Sequence, residues 1–382
     1  GSGGNGGWSF SGAVGGLGAV AISLGGSGGG GGRAGNVSLS SDQSVTTNGS
    51  LSVGLLAQSI GGNGGSGGFS AALAGSTIVA PAISVGGGGG NGSIAGTVNV
   101  ISNGRIATKG DLSTGILAQS IGGSGGNGGS ALSGAIATGA PKVPLSVGAA
   151  GATGGSGGTG QAAKAVAVNS MGDIVTSGLS SIGIIAQSIG GGGGNGGNAA
   201  AFSVTAGGGN SKNTSVSASV AIGGAGAAGG NADSVIVNQF GNIVTGAPVT
   251  PGSAGSGDQS IGILAQSIGG SGGNGGSAYA NSISGTASVA VSVGGGGGVG
   301  GNGGTVAVNF NPYEYIASWS DLVVNIGDNP TYGFEHYLTS SIREGRNSNG
   351  FNVLQYLANY TDLQAAFGND LTAAAKHYVT YG

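Results

Sequence analysis

The chain has 382 residues, of which 97 are glycine, with 5% charged residues, 5% aromatics, no cysteine and a net charge of −3. Only seven prolines exclude collagen, and the 38% share of hydrophobic residues with so little charge excludes an ordinary disordered composition. A disulfide framework and a thiolate metal site are ruled out, and no basic patch exists to meet nucleic acid.

The first residues, Gly1-Ser2-Gly3-Gly4-Asn5-Gly6-Gly7, form a glycine tract without the strand that precedes such tracts later on. We therefore expect the chain to begin inside a repeat, as a processed product or part of something longer. Nothing at residue 1 reads as a signal peptide, and no apolar run reaches the ~18 residues of a membrane span. Repeats then follow in a common order. A period-two apolar stretch comes first: Val37-Ser38-Leu39, Val98-Asn99-Val100, Val166-Ala167-Val168, Val235-Ile236-Val237 and Val306-Ala307-Val308. After a turn comes a second strand, as in Gly172-Asp173-Ile174-Val175-Thr176. A third strand carries Ala-Gln-Ser-Ile and runs into a glycine tract at 61–68, 122–129, 190–197 and 269–276. One or two strands of small residues follow, such as 69–73 and 82–85. A second glycine tract closes the unit at 25–32, 86–92, 148–160, 223–230 and 294–304. Alternation and β-branching argue strand throughout, with no helical stripe before residue 310.

The glycines that open the motif strand, Gly54, Gly115, Gly183 and Gly262, are 61, 68 and 79 residues apart. Units therefore lie near 54–114, 115–182, 183–261 and 262–309, with a partial unit before 54. Repeats of this kind bury their apolar edges by stacking. The expected fold is mainly β: a parallel β-solenoid, with either one wide coil or several narrow coils per repeat. Tracts of the type Gly-Gly-Ser-Gly-Gly-Asn-Gly-Gly carry a side chain at every third place. A polyproline-II-type helix has three residues per turn, so Ser124 and Asn127 share one edge and two faces are bare. Eight residues at ~3.1 Å each span ~25 Å. Flexible linkers are the alternative, but their fixed offsets from the strands favour ordered rods packed side by side.

The repeated motif reads as structural. Gln58, Gln119, Gln187 and Gln266 stack into an amide ladder if the copies are in register, or else form a row of solvent-facing glutamines. Ile60, Ile121, Ile189 and Ile268 mark the point where strand becomes rod.

Composition shifts near Asn309-Phe310: residues 310–382 hold only 6 glycines but 13 aromatics. This small C-terminal α-helical domain repeats with a spacing of 41, over 310–350 and 351–382. Tyr315, Asp321, His336 and Tyr337 recur as Tyr356, Asp362, His377 and Tyr378. Asn311-Pro312-Tyr313-Glu314 is a helix start and Asn329-Pro330 a second, while Gly327 and Gly368 read as stops. We expect two short helices per unit. They would cap the last coil, whose open edge otherwise invites aggregation. His336 and His377 read as structural hydrogen-bond partners in preference to metal ligands. The second copy stops before an equivalent of Arg343-Glu344-Gly345-Arg346, so this end too falls within a repeat.

No Ser/His/Asp or Cys/His set is available, and the five acids before residue 310 lie far apart. Matches to Gly-x-Gly-x-x-Gly arise from composition and lack the partners that phosphate binding needs. The reading is a chain that is not an enzyme and takes no cofactor and no metal. The string Gly-Ile-Leu-Ala-Gln-Ser-Ile-Gly-Gly-Ser-Gly-Gly-Asn-Gly-Gly (115–129), with its sister copies, resembles the glycine-rich repeats of autotransporter-like passenger regions in Gram-negative bacteria. The tail, with Tyr-Leu-Ala-x-Tyr-x-Asp-Leu and His-Tyr, is similar to short helical repeats of large secreted bacterial surface proteins. The resemblance implies an exported protein on the exterior of the outer membrane, adhesive in many cases. The expected role is a stalk or fibre subunit that self-associates end to end. The alternative is an adhesin whose variable segments, 206–215 and 247–258, contact a glycan or receptor.

Overall fold

The structure is a computed structural model that describes residues 1–139, 145–206, 214–246, 259–309, 311–337, 340, 344, 346, 350–368 and 370–382. It is a parallel β-solenoid in which each repeat makes one wide coil. The small-residue strands come first in a coil. Ser9–Gly15, Ser70–Ser76, Ala131–Ala137, Ala199–Thr205 and Ala278–Ser284 stack as sheet one. Next along the chain, Ala21–Leu24, Val79–Val85, Leu145–Thr153, Thr214–Ile222 and Ala287–Val293 stack as sheet two. The chain then crosses the molecule through the second glycine tract. On the far side Val37–Ser41, Val98–Ser102, Val166–Ser170, Val235–Gln239 and Val306–Asn309 form sheet three. Val45–Thr47, Ile106–Thr108, Ile174–Thr176 and Ile243–Thr245 form sheet four. The motif strands Val53–Ile60, Thr114–Ile121, Ile182–Ile189 and Ile261–Ile268 form sheet five, and the first tract leads back to sheet one.

The cross-section therefore has two lobes joined by a glycine waist. Sheets three, four and five enclose one core of Ile, Val and Leu, including Val100, Ile106, Ile116, Val168, Ile174 and Ile184, all fully buried. Sheets one and two face each other across a core of alanine, including Ala72, Ala80, Ala82, Ala135 and Ala201. Methyl groups let the two sheets pack closer than the usual ~10 Å, and several of the serines that share this core pair their hydroxyls across it. Ser70 bonds Ser84 at 2.6 Å, and Ser203 bonds Ser217 at 2.7 Å.

Three details differ from expectation. The segment 148–153 continues the strand Leu145–Thr153, so the second tract of that coil starts at Gly154. Its glycines, Gly148 and Gly151, are strand positions in register with Ala80 and Ile83 on one side and Ser217 and Val220 on the other. Among the described residues the tail shows three helices in each unit where two were expected: α1 (Pro312–Ala317), α2 (Ser320–Asn325) and α3 (Pro330–His336), then α4 (Val353–Asn359), α5 (Thr361–Phe367) and α6 (Leu371–Tyr381). The Asn311 side chain accepts from the N–H groups of Tyr313 and Glu314, and Gly327 and Gly368 take the left-handed conformation that ends a helix. Tyr315, Ile316, Leu322, Val353, Leu357 and Ala374 make one shared core, so the two units form one body. Nor do the helices close the last coil: Val306 and Val308 on its strand are 46% and 47% exposed. Instead the start of α6 (Asp370, Leu371, Thr372) flanks Ile101, Asn169, Met171 and Phe240 across a shallow cleft.

Candidate functional site

The motif strands run in register from coil to coil, with Gln119 opposite both Gln58 and Gln187. Strand alternation turns Ala and Ser inward and Gln and Ile outward. Gln58 Nε2 donates to Gln119 Oε1 (2.5 Å), Gln119 to Gln187 (2.6 Å) and Gln187 to Gln266 (2.7 Å). The glutamines are thus an amide ladder on the outer face of sheet five. Ile60 and Ile268 beside it are 54% and 44% exposed, while Ile121 and Ile189 are half-buried.

The serine of the motif carries a role that the sequence reading passed over. Ser120 is fully buried, donates to Gly96 O (2.8–2.9 Å across the copies) and accepts from Lys164 N–H at 2.8 Å. Ser59 bridges Gly35 O and Gly96 N–H in the same way, and Ser267 bridges Asp233 O and Gly304 N–H. Each hydroxyl fastens sheet five to two successive coils of the segment leaving the second tract. Identity of Ser in all four copies was the available signal. The motif glycine has its own cause: a Cβ on Gly115 would lie 2.5 Å from Gly183 O and 2.7 Å from Ile174 Cγ2.

The glycine tracts form a hydrogen-bonded lattice. Three successive residues show its three directions. Gly126 N–H donates to Gly90 O in the second tract (2.8 Å), and Gly125 N–H donates to Gly192 O in the next coil's first tract (2.8 Å). Ser124 N–H, at the edge, donates to Asn63 Oδ1 of the previous coil (2.9 Å). The same edge bond joins Ser66 to Asn5, Thr159 to Asn91, Asn195 to Asn127 and Asn274 to Asn195. Asparagine side chains therefore take edge donors that the bare faces leave over, and Ser124 Oγ takes Gly192 N–H in the same way. The rods are held by ordinary N–H···O bonds, stronger than the weak Cα–H···O contacts that bare faces suggest.

Among the described residues, chemistry-bearing groups gather in the tail. Tyr315 Oη bonds His336 Nδ1 and Tyr356 Oη bonds His377 Nδ1, each at 2.9 Å, so both histidines occupy the same structural niche in their units. Arg346 grips Asp321 with two bonds of 2.8 and 2.7 Å, bonds Glu344 and stacks 5.2 Å from the Trp319 ring. That grip holds the Asp321 carboxyl below its ordinary range. Burial pushes Glu314 up to about 7. Among the described residues no three or more His, Cys, Asp or Glu come together as a metal site. No described helix is long and apolar enough to cross a membrane.

The remaining surface feature is apolar. Both outer faces of the alanine lobe expose large side chains: Phe10, Phe69, Phe202 and Tyr279 on the side of sheet one, and Ile83, Val220, Ile222 and Val291 on sheet two. Of the segments expected to contact a glycan, residues 207–213 and 247–258 lie outside the described residues. In comparisons with known families, curated proteins and solved structures, nothing matches the chain.

Proposed function

We propose that the chain is an extracellular structural protein, a surface-adhesin stalk or fibre subunit built from stacked glycine-rich coils. The observation that carries this reading is the continuous stacking itself. Sheets, glycine rods, the glutamine ladder and the serine staples all repeat coil after coil along one direction. Each element serves the stack, and in the tail the Tyr315–His336 and Tyr356–His377 pairs and the grip of Arg346 on Asp321 hold the helices together. A column of this kind sets a length and a spacing. Each coil pairs with the next through main-chain groups, so copies meeting end to end can extend the same ladders. Location on the exterior of a Gram-negative outer membrane rests on the resemblance of the motif.

Electron microscopy of the purified protein at high concentration tests the fibre. Rods that join end to end are the expected result, and dispersed single particles at every concentration would refute assembly. Antibody labelling of intact producing cells tests the location: signal only after permeabilisation would overturn it.

A further inference from the structure

We infer that the outer face of sheet two is a lateral docking surface for a second copy of this chain, paired about a two-fold axis between the second and third coils. This deepens the structural-protein reading, on which it rests, by naming the lateral partner. The face is apolar and repetitive. Its central column runs Ile22, Ile83, Gly151, Val220 and Val291 in register, and its neighbour runs Leu24, Val85, Thr153, Ile222 and Val293. Ile83, Val220, Ile222 and Val291 are 46%, 40%, 41% and 43% exposed. Among the described residues of sheets one and two there is no charged side chain; Arg105, Asp111 and Asp173 lie on the other lobe.

The column has one gap. At Gly151 a Cβ would meet nothing within 4 Å, so nothing inside the chain demands glycine there. Gly134 on sheet one is the contrast: a Cβ there would strike Phe202 and Leu73. A glycine in a strand that its own fold does not require marks a place where another surface comes close. With Ala149 and Thr153 beside it, Gly151 makes the third coil a trough between the ridges of Ile83 and Val220. Reversing a second copy about an axis between the second and third coils sets its Ile83 into this gap. The same operation sets the first copy's Ile83 into the partner gap, as a two-fold interface requires. Four facing strands at ~4.8 Å and seven residues at ~3.3 Å give a planar footprint of about 440 Å² per copy. Side-chain relief adds to that, which places the pair near the ~1,000 Å² lower bound for a specific contact and makes it weak when alone. An array of stacked coils would multiply it.

The test is analytical ultracentrifugation of the whole chain over a concentration series, with thermal melts alongside. The wild type is expected to reach a dimer. Gly151→Ile adds apolar surface and a good strand former, yet it fills the gap and is expected to weaken pairing at least ~10-fold while leaving the melt unchanged or raised. Ile83→Ala removes the knob and should also weaken pairing. The double variant I83A/G151I exchanges knob and hole, so pairing should recover towards wild type. A wild type that stays monomeric throughout, or a Gly151→Ile variant that pairs as well as or better than wild type, overturns the proposal. End-to-end filaments whose lateral pairing ignores Gly151→Ile would sink the face and leave the fibre reading standing; discrete dimers sensitive to Gly151→Ile with no filaments would do the reverse.

Discussion

Two glycines of one lattice should respond oppositely to alanine. A Cβ on Gly126 would lie 2.0 Å from Gly65 O and 2.5 Å from Gly65 C, about 1 Å or more inside ordinary contact. The obstacle is backbone on every side, so the rod itself must move. Movement stretches the 2.8 Å bonds from Gly126 N–H to Gly90 O and from Gly158 N–H to Gly126 O. Each orphaned buried group costs ~1–3 kcal/mol, and two of them give about 2–6 kcal/mol. Loss of unfolded-chain entropy returns only ~0.4–1 kcal/mol. Gly88 occupies the open edge of the second tract, where a Cβ would meet nothing nearer than 3.8 Å. There the entropy gain stands alone, so Gly88→Ala should stabilise by ~0.4–1 kcal/mol. Denaturant midpoints followed by circular dichroism would compare the two, with amide exchange at the tract to show where the opening occurs. Midpoints that both rise, or that both fall by the same amount, would refute the lattice.

The motif gives a ranking. Ser120→Ala strands the Gly96 carbonyl and the Lys164 N–H and should cost ~2–4 kcal/mol, whereas Gln119→Ala loses two half-exposed ladder bonds and should cost about 1 kcal/mol; urea midpoints in the reverse order would contradict the assignment of the serine as staple. In the tail, Glu314 has an ordinary value of 4.5 and is pushed up to about 7 by burial, so the folded state favours its protonated form. The stability this confers is fully present below pH 4.5 and is lost as pH rises through 7, by up to ~3 kcal/mol. Melting of the near-ultraviolet aromatic signal of the tail between pH 4.5 and 8 reads this out. Glu314→Gln, which copies Gln355 of the second unit, should flatten the profile, and a profile that stays equally steep would point to another group.

Much of this architecture is legible because the repeats are near copies. Alternation placed the strands, the three-residue period of the tracts placed Ser124 and Asn127 on one edge, and the shift at residue 309 separated helices from strands. Distances between remote residues were not legible. The bonds of Ser120 join it to Gly96 and Lys164, 24 and 44 positions away, and no local pattern announces that a hydroxyl will meet both. Gly148 belonged by composition to a tract but lies in a strand, since ladder pairing with Ala80 and Ser217 outweighs the poor strand propensity of glycine. Leu51, Leu112 and Ser180 adopt left-handed backbone at φ 58°, 56° and 50° just before the motif strands. A leucine gives no sign of that conformation, and stacking of the turns imposes it, as in the bond from Leu51 N–H to Asp111 O.

The unequal repeat lengths follow from the same lattice. Sheets one and two keep an offset of 61 between the second coil and the third up to Ser76 and Ala137, and of 68 from Val79 and Val147 onward. The extra residues therefore fall between those two strands. Between the third and fourth coils the offset is 69 at Thr176 and Thr245 and 79 at Ile182 and Ile261, so the next insertion falls between sheets four and five. The tracts admit no such change, because each coil must climb by one strand spacing, ~4.8 Å, in its sheets and its rods alike. Backbones that approach so closely on two sides leave room only for hydrogen at two positions in three. The glycine content is thus a consequence of coupling polyproline-II rods to β-ladders. Variation in sequence length is confined to the connections between sheets one and two and between sheets four and five.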